Sequence, residues 1–539
     1  MTTMRDMMTQ VDVVVVGGGA AGLSAATVLA RSRRSVLVVD AGDPRNAPAA
    51  GVHNVLGHDG IPPGELLARG RSELHAYGGE VLQGTATATE RTADGFAVTV
   101  VPLGTGAPEP TLVSPVVVHA RRLVVTTGLR DELPDVPGLA ERWGRDVLHC
   151  PLCHGWEVRD HAIGILATGP MAVHQALLFR ALSPDITLFL HRGPALAPAD
   201  AEQLLALGVR VVQGEVVGLE VARDALTGIR LADGCVVARQ ALVVAPRFVA
   251  RSELLESLGL EVEDVLVGDA AIGRRVSADP RGATAVPGVW VAGNVSEPMA
   301  QVVVAAGQGL TTGAAVHGDL VAEDGRHALE RARATADFFS RASWEERYGV
   351  HDTIWSGEPN PQLVVEATDL PPGSALDVGC GEGADALWLA HRGWDVTGAD
   401  ISPTALVRAT AQAAREGLAV RWEEVDLGAW DAGLERYDLV SAQYFHWMPA
   451  PRQALFARLA RAVRPGGTLL LVGHLFSGPG SMPHEDLADM GFTADEVAAT
   501  LDPALWEVHT AESRPRLRTH PETGEEVSTP DTVLCARRR

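Results

Sequence analysis

Three segments of this chain each combine a predicted strand, a glycine-rich turn and a helix-forming stretch, and this repetition constrains the fold most. The turns lie near residues 17, 167 and 379 of the 539 residues. A buried parallel strand that feeds a helix through a glycine turn is typical of doubly wound α/β domains that bind nucleotides. Because a chain this long cannot fold around one core, we predict an α/β protein with a separate domain around each turn.

Composition and charge exclude several classes of partner. The chain is 46% hydrophobic and 21% charged, which is typical of a soluble globular protein. Its net charge of -23 would repel nucleic acid and anionic membrane. No apolar run approaches the roughly 20 residues that span a bilayer, and the first ten residues lack the pattern of a signal peptide. We therefore expect a cytoplasmic protein with neither nucleic acid nor membrane as a partner.

The first turn has the full pattern of a dinucleotide-binding unit. A predicted strand at 11–16 leads into Gly17, Gly19 and Gly22, and the next strand ends on Asp40. Glycine allows a tight turn at 17, close approach of a pyrophosphate at 19, and close packing of helix on strand at 22. The helix N-terminus would then face the phosphates, and Asp40 would accept hydrogen bonds from ribose hydroxyls.

A second feature is the pair Cys150 and Cys153, three residues apart at the predicted start of a helix. Such a pair can close a small disulfide ring. A helix N-terminus and a neighbouring imidazolium favour thiolate, so His149 and His154 would make the pair reactive. The alternative is half of a zinc site, but zinc would need a second pair of ligands and no other cysteine pair is visible. We favour redox chemistry and predict no metal.

Further motifs connect these two features. Residues 123–128 form a predicted strand ending in the turn Thr127-Gly128, and residues 288–294 form another ending in Gly293-Asn294, followed by Gln301 and a Gly/Ala-rich helix at 305–315. Together with the first glycine turn and the cysteine pair, these motifs make residues 11 to about 322 resemble the low-molecular-weight thioredoxin reductase group of flavoproteins.

The resemblance implies a discontinuous FAD domain, residues 11–128 plus 246–322, around a pyridine-nucleotide-type domain, residues 129–245. It implies that Cys153 lies against the flavin, that Cys150 exchanges with substrate, and that the chain is a homodimer. His154 stands where typical members have an acid. It could be the general base for an incoming dithiol, or it could form only local hydrogen bonds. The implied FAD-binding residues are Gly17, Gly19, Gly22, Asp40, Thr127, Gly128, Gly293, Asn294 and Gln301.

The second glycine turn departs from the family's NADPH loop. Gly169, His191 and Arg192 match it, but Pro170 cannot donate a backbone hydrogen bond to phosphate, and Gly193 replaces the second arginine of the family's phosphate clamp. NADPH use therefore stays open at this point. With NADPH, electrons would flow from the nicotinamide to a substrate disulfide, thioredoxin included. Without it, a small dithiol would reduce the cysteine pair, and flavin and oxygen would take the electrons. The motif CPLCHGWE resembles the second group, the dithiol oxidases of the gliotoxin and holomycin type.

Residues 323–340 carry no apolar stripe, and we expect an exposed tether or bridging helix there. The third turn follows, with Gly379, Gly381 and Gly383 after one predicted strand and Asp400 at the end of the next. This spacing resembles class I S-adenosylmethionine-dependent methyltransferases, so we assign residues 341–539 to such a domain. The resemblance implies that the glycines pass under the methionine end of S-adenosylmethionine, that Asp400 holds the ribose and that Asp426 contacts the adenine.

The segment around Trp355 resembles the lid of the thiopurine and tellurite-resistance methyltransferases, where a tryptophan covers the cofactor. That subgroup methylates soft nucleophiles, and a thiolate acceptor needs no base. His446, His474 and His484 are candidates to line the acceptor pocket, although single histidines are often structural.

The predicted architecture is thus two Rossmann-like domains of a thioredoxin reductase-type flavoprotein followed by the doubly wound sheet of a class I methyltransferase. The leading hypothesis is a bifunctional enzyme that interconverts small dithiols and disulfides through FAD and methylates small thiols with S-adenosylmethionine. One alternative is an NADPH-dependent disulfide reductase fused to an unrelated methyltransferase. Another is a flavin redox sensor whose cysteine pair regulates the methyltransferase half.

Overall fold

The computed structural model describes residues 10–103, 114–193, 195–445, 447, 449–474, 491–519 and 526–539. The chain divides into two compact units, Met1–Glu323 and Asp324–Arg539. None of the helices among the described residues is long and apolar enough to cross a membrane.

The first unit alternates strands and helices. Its strands are β1 (Gln10–Val16), β2 (Val36–Asp40), β3 (Glu80–Thr92), β4 (Gly95–Pro102), β5 (Val116–Val125), β6 (Leu129–Glu132), β7 (Val147–Leu148), β8 (Ile163–Leu166), β9 (Ile186–Phe189), β10 (Arg210–Val212), β11 (Val216–Ala222), β12 (Ala225–Leu231), β13 (Val236–Val237), β14 (Ala241–Val243), β15 (Arg247–Ala250), β16 (Val262–Val267), β17 (Ala270–Val276) and β18 (Val289–Val291). Its helices are α1 (Ala20–Arg31), α2 (Pro63–Ala76), α3 (Leu139–Arg142), α4 (Pro151–His154), α5 (Ala172–Arg180), α6 (Pro198–Ala206), α7 (Glu253–Glu256) and the start of α8 (Val302–Phe338).

Strand β1 is buried on both faces, as its continuous apolar run predicts. Val13 and Val15 pack in one hydrophobic cluster with helix α1, whereas Val14 and Val16 pack in another cluster on the opposite face. Strand β1 pairs in parallel with β2 and β5, and β5 pairs in parallel with β18 from the far end of the unit. Strands β3, β4 and β5 complete the sheet as an antiparallel meander.

A second parallel sheet, in the order β10-β9-β8-β14-β7, lies in the middle of the sequence. Helix α5 packs on it through Ala172, Ala176 and Phe179. The antiparallel sheet β11-β12-β13 adjoins it through a shared cluster that includes Val216 and Leu242. A separate sheet, β16-β17-β15-β6, joins strands on either side of this region of the chain.

Helix α8 is much longer than the sequence predicts. The Gly/Ala-rich run at 305–315 and most of the charged run at 323–340 belong to one 37-residue helix, Val302–Phe338, which contains the boundary between the two units. The run at 323–340 is therefore helical as far as Phe338.

The second unit continues with helices α9 (Arg341–Val350), α10 (Pro361–Ala367), α11 (Ala384–His391), α12 (Pro403–Glu416), α13 (Pro449–Ala462) and α14 (Ala494–Ala498). Its strands are β19 (Ser374–Val378), β20 (Asp395–Asp400), β21 (Val420–Glu424), β22 (Tyr437–Gln443), β23 (Val463–His474), β24 (Trp506–Thr519) and β25 (Glu526–Arg538).

These strands form one sheet in the order β21-β20-β19-β22-β23-β25-β24. The first five are parallel, and β25 runs antiparallel to β23. The order reverses between β19 and β22, and ligands of doubly wound sheets bind at the carboxyl ends of strands beside such a reversal. The predicted α/β class, with Rossmann-like sheets in the first half and a doubly wound sheet in the second, is confirmed.

Candidate active sites

The first unit contains a cavity of about 1600 Å³, and the first glycine turn lines it. Gly17 has φ +111°, and a Cβ there would lie 2.4 Å from the carbonyl oxygen of Thr126. A Cβ at Gly22 would lie 1.9 Å from the carbonyl oxygen of Gly17, whereas one at Gly19 would meet nothing within 4 Å. Gly17 and Gly22 thus allow close backbone packing, and Gly19 leaves open space at the start of helix α1.

Asp40 lies beside this turn and contacts its backbone. Its Oδ1 accepts hydrogen bonds from the backbone N–H groups of Gly18 and Gly42, at 3.3 and 3.2 Å. Its Oδ2 lies 3.9 Å from Nη1 of Arg71. The carboxylate at the end of β2 therefore faces the same cavity as the glycine turn.

The predicted Thr-Gly turn lines the cavity as well. Gly128 adopts φ +72°, a left-handed conformation that glycine takes without strain. The hydroxyl of Thr127 donates to the carbonyl oxygen of Arg251 over 2.6 Å, which ties the turn to the segment after β15. The hydroxyl of Thr126, which the sequence did not single out, donates to the carbonyl oxygens of Val16 and Gly17.

Gly293, Asn294 and Gln301 reach the cavity from the segment between β18 and helix α8. The side-chain amide of Asn294 donates to three backbone carbonyls, those of Glu297, Pro298 and Ala300. A carboxylate at this position could not donate these bonds, so the amide of Asn294 holds the loop through its N–H groups.

Gln308 is a residue that sequence reasoning missed. Its Oε1 accepts the backbone N–H of Gly293 over 3.1 Å. The segment after β18 contains two glutamines, Gln301 and Gln308. Only the structure shows that Gln308 is the one that accepts a hydrogen bond from Gly293.

The cysteine pair lies in the wall of the same cavity. Cys150 and Cys153 form a disulfide with their Cα atoms 5.3 Å apart, and Cys150 is the N-cap of the one-turn helix α4. Both cysteines are half-buried.

The structure does not support the prediction that a positively charged histidine lies beside the cysteines. Burial lowers the pKa of His149 and that of His154, so both rings are neutral at pH 7. Nδ1 of His149 lies 3.2 Å from the carbonyl oxygen of Val244, within the protein. Nε2 of His154 is buried and has no hydrogen-bond partner among the described residues. His154 can thus accept a proton, but neither ring supplies a positive charge.

A loop at 51–61 holds the cysteine helix, which the sequence did not suggest. The side-chain amide of Asn54 donates to the carbonyl oxygen of Leu152 over 2.9 Å. Nε2 of His53 lies 3.3 Å from Oε1 of Glu157, and the His53 and His154 rings meet edge to face with centroids 6.5 Å apart.

The second glycine turn offers little for a phosphate. Arg192 makes an ion pair with Glu215, and its Nε donates to Oε1 over 2.8 Å. Nδ1 of His191 accepts the backbone N–H of Val216 at 3.0 Å. A Cβ at Gly193 would lie 2.6 Å from the carbonyl oxygen of Ala167, so no arginine fits there without a backbone shift. Gly169 faces open space.

In the second unit, the third glycine turn follows strand β19. Gly379, Gly381 and Gly383 have φ of +70°, +52° and +89°, all left-handed. Asp400 reaches this turn from the end of β20, and its Oδ2 accepts the N–H of Gly381 over 2.8 Å. Asp426 follows β21 at the same edge of the sheet and accepts the N–H of Gly428.

The side chain of Trp355 packs against the glycine turn at Gly381. Its Nε1 donates to the hydroxyl of Tyr348 over 3.0 Å, and both atoms lie 3.1 Å from where a Cβ of Gly381 would be. The backbone N–H groups of Ile354 and Trp355 donate to Glu382, a residue of the turn itself. The tryptophan ring stays half-exposed, as expected of a side chain that covers a ligand.

Three acidic or weakly acidic groups lie in this turn or next to it. Burial raises the pKa of Asp377 and of the Cys380 thiol well above their ordinary values, and raises the pKa of Asp385 to about 6. The Cys380 thiol is therefore protonated at neutral pH, in keeping with a packing role.

Of the three histidines expected near an acceptor, His446 and His484 lie outside the described residues. His474 ends strand β23, where its Nδ1 lies 3.1 Å from Oδ1 of the buried Asp531. Gln443 ends the neighbouring strand β22, and its buried Oε1 has no partner among the described residues.

Comparison with known proteins follows the same division of the chain. The pyridine nucleotide-disulphide oxidoreductase family matches residues 11–309, and the methyltransferase domain family matches residues 375–467. The chain is 34% identical over 268 residues to thioredoxin reductase tcpT of Claviceps purpurea, covering 47% of this chain and 78% of that protein.

One solved structure and one plant protein extend the comparison. The crystal structure of HlmI is 44% identical in sequence, covers 61% of this chain and 98% of that chain, and superposes with a TM-score of 0.54. The second half is similar to probable thiol methyltransferase 2 of Arabidopsis thaliana, with 31% identity over 154 residues that cover 27% of this chain and 68% of that protein.

Proposed function

Because the chain belongs to the pyridine nucleotide-disulphide oxidoreductase family and carries a methyltransferase domain behind it, we propose a bifunctional enzyme for small thiols. The first half oxidises a small dithiol to a disulfide with FAD and oxygen. The second half methylates a small thiol with S-adenosylmethionine. Two predictions from the sequence are confirmed: the chain joins a thioredoxin reductase-like half to a methyltransferase half, and both halves are enzymatic. The cofactors and substrates are our proposal.

One observation carries the redox half: the Cys150–Cys153 disulfide lines the same cavity as the glycine turn at 17–22 and Asp40. The residues present fit a flavin dinucleotide. Open space at Gly19, at the start of helix α1, suits a pyrophosphate, and Asp40 at the end of β2 suits a ribose. When bound, FAD would supply an acceptor for an electron pair from the cysteines.

The residues of this chain would carry out the thiol exchange. His154 takes the proton of the first substrate thiol, and the resulting thiolate attacks Cys150, which breaks the Cys150–Cys153 bond. The second substrate thiol gives its proton to solvent and attacks the substrate sulfur bound to Cys150, which breaks the mixed disulfide and releases the Cys150 thiolate. The substrate leaves as a disulfide, and the cysteines hold two electrons. Bound FAD would accept that electron pair and pass it to oxygen, which would give hydrogen peroxide and leave Cys150 and Cys153 as a disulfide again.

The direction rests on the nucleotide turn at 167–193. The only arginine of the expected clamp that remains, Arg192, makes an exposed ion pair with Glu215, and the carbonyl of Ala167 closes the space beside Gly193. A bidentate arginine clamp provides much of the affinity for a phosphate. Its loss favours the oxidase over the NADPH-dependent reductase.

Oxygen uptake against a panel of small dithiols tests the oxidase. We expect uptake with a stoichiometric amount of substrate disulfide, and none in Cys153→Ser. Anaerobic NADPH should leave the yellow flavin band in place. Rapid bleaching by NADPH would reverse the assignment in favour of the reductase.

The methyl-transfer half rests on the left-handed glycine turn at 379–383, which Asp400 braces and Trp355 covers. These residues fit a nucleoside cofactor with a methionine tail, which would supply an electrophilic methyl group. Similarity to a protein named a thiol methyltransferase supports a sulfur acceptor. Incubation with labelled S-adenosylmethionine and a panel of thiols should give thioethers, and Asp400→Asn should weaken cofactor binding.

The redox-sensor alternative makes a separate prediction. If the cysteine pair regulates the methyltransferase, Cys153→Ser must change the rate of methyl transfer. An unchanged rate removes that alternative.

A further inference from the structure

A histidine, a buried aspartate and a tyrosine meet at one edge of the second unit. Nδ1 of His474 lies 3.1 Å from Oδ1 of Asp531, and the hydroxyl of Tyr444 donates to Oδ2 of Asp531 over 2.9 Å. The rings of Tyr444 and His474 stack with centroids 4.2 Å apart. The three side chains come from three different strands or strand ends, so the fold assembles this cluster.

The cluster lies at the carboxyl edge where the strand order reverses. Tyr444 directly follows β22, His474 ends β23, and Asp531 is the register partner of His474 on β25. The glycine turn follows β19, the neighbour of β22 on the other side. Strands lie about 4.8 Å apart, so β19 and β23 are separated by roughly 10 Å across the sheet, and His474 lies three residues beyond the level of Val378 along the strands. An acceptor beside that cofactor would occupy this interval.

The contact with Asp531 favours one tautomer of the His474 ring. The Asp531 side chain is 0% exposed, and a buried carboxylate needs hydrogen-bond donors. Tyr444 supplies one donor, and Nδ1–H of His474 can supply another. With the proton on Nδ1, Nε2 is the basic atom of the ring. The His474 side chain is 24% exposed, so the ring is only partly covered.

The backbone conformation of Tyr444 indicates that the surrounding structure enforces the position of this side chain. Tyr444 has φ +53°, a left-handed conformation that bulky residues rarely adopt. Its N–H donates to the carbonyl oxygen of Val472 over 2.7 Å, which holds the strained residue beside β23. Such strain persists when the surrounding structure enforces it, and it is frequent at functional sites.

We propose that His474 is the general base of the methyl-transfer reaction, that Asp531 and Tyr444 are its positioning residues, and that the acceptor arrives as a protonated thiol. The inference rests on the methyl-transfer function proposed above and extends it. Nε2 of His474 takes the proton of the acceptor thiol. The acceptor's S–C bond forms as the S–CH₃ bond of the cofactor breaks, and the electron pair of the broken bond stays on the cofactor's sulfur.

Two acceptors of different acidity test this assignment in the full-length chain. An alkyl thiol is mostly protonated at pH 7.5, whereas an arylthiol is mostly ionised because the ring delocalises the charge. His474→Gln should lower kcat/KM for the alkyl thiol about 100-fold or more and change that for the arylthiol little, because only the first needs a base. Tyr444→Phe should give a smaller loss with the same selectivity.

A binding measurement and a matched control complete the experiment. The Kd of S-adenosylhomocysteine, measured by calorimetry, should be the same in wild type and His474→Gln. His391→Gln, which removes the exposed His391–Glu416 pair of the same unit, should change neither acceptor's rate. Equal losses for both thiols, weaker S-adenosylhomocysteine binding in His474→Gln, or no loss at all would overturn the base assignment alone. A wild-type chain that binds S-adenosylhomocysteine but methylates neither thiol would overturn the proposed thiol methylation, and the base assignment with it.

Discussion

The side-chain amide of Asn54 donates a hydrogen bond to the carbonyl oxygen of Leu152, a residue that stands between the two cysteines of the disulfide. Asn54 belongs to the loop at 51–61, nearly 100 residues earlier in the chain. This contact, and the approach of His53 to Glu157, hold the cysteine helix at the wall of the cavity.

We expect Asn54→Asp to slow dithiol oxidation roughly tenfold, the equivalent of one lost hydrogen bond. Aspartate tolerates the left-handed backbone of this position, φ +63°, so the substitution should leave the loop intact. It replaces the N–H donor of the side chain by an oxygen that faces the carbonyl oxygen of Leu152. Oxygen uptake with a small dithiol measures the effect. Leu56→Ala, at a fully exposed residue of the same loop, is the control and should keep full activity. A wild-type rate in Asn54→Asp would show that the contact does not position the cysteines.

The pH dependence of oxidation should report His154. Burial lowers the pKa of His154 below the ordinary histidine value of 6.5, although the charge of Glu157 opposes this shift. The ring therefore stays neutral, and able to accept a proton, down to a pH below 6.5. We expect the rate of cysteine reduction by dithiol to fall only below pH 6.5. Glu157→Gln should move this acid limb to lower pH, because it removes the charge that favours the imidazolium.

His154→Gln should lower the same rate by about 10² to 10⁴ at pH 7 and remove the acid limb. Anaerobic stopped-flow spectra of the flavin follow the step. An acid limb that survives in His154→Gln would assign the base to another group.

The buried acid Asp385 should make the second unit less stable as pH rises. Its pKa is raised to about 6 by burial, against 3.8 in the unfolded chain, so the folded state binds the proton more tightly. Stability from this group is fully present below pH 3.8 and is lost as pH rises through 6. Asp385→Asn keeps an oxygen for the N–H of Asn360 and should stabilise the unit at pH 8 by roughly 1–3 kcal/mol, with little effect at pH 4. Denaturant unfolding at both pH values, without cofactor, measures it; equal effects at both would contradict the assignment.

Removal of one charge should not create an NADPH site. Glu215→Gln frees Arg192, but the carbonyl of Ala167 still excludes a second arginine at position 193. We expect no NADPH-dependent bleaching of the flavin in this variant. If bleaching appears, the ion pair alone had blocked the site, and the chain is closer to a reductase than we propose.

The sequence by itself determined the local units of this protein. Each glycine turn, the strand before it and the acid at the end of the next strand obey short-range rules of backbone geometry and hydrophobic burial, so Gly17, Asp40, Gly379 and Asp400 could be found by spacing alone. The cysteine pair was visible for the same reason. Helix α8 was underestimated because its charged second half lacks an apolar stripe.

Only the tertiary structure decided which distant side chains meet. Asn54 and Leu152 are 98 residues apart, and His474 and Asp531 are 57 apart; no local pattern links either pair. The charge of His149 and His154 was mispredicted because burial, which sets their pKa, depends on what the rest of the chain packs around them. Short-range geometry fixes each turn, whereas the environment of a side chain is a property of the whole packed unit.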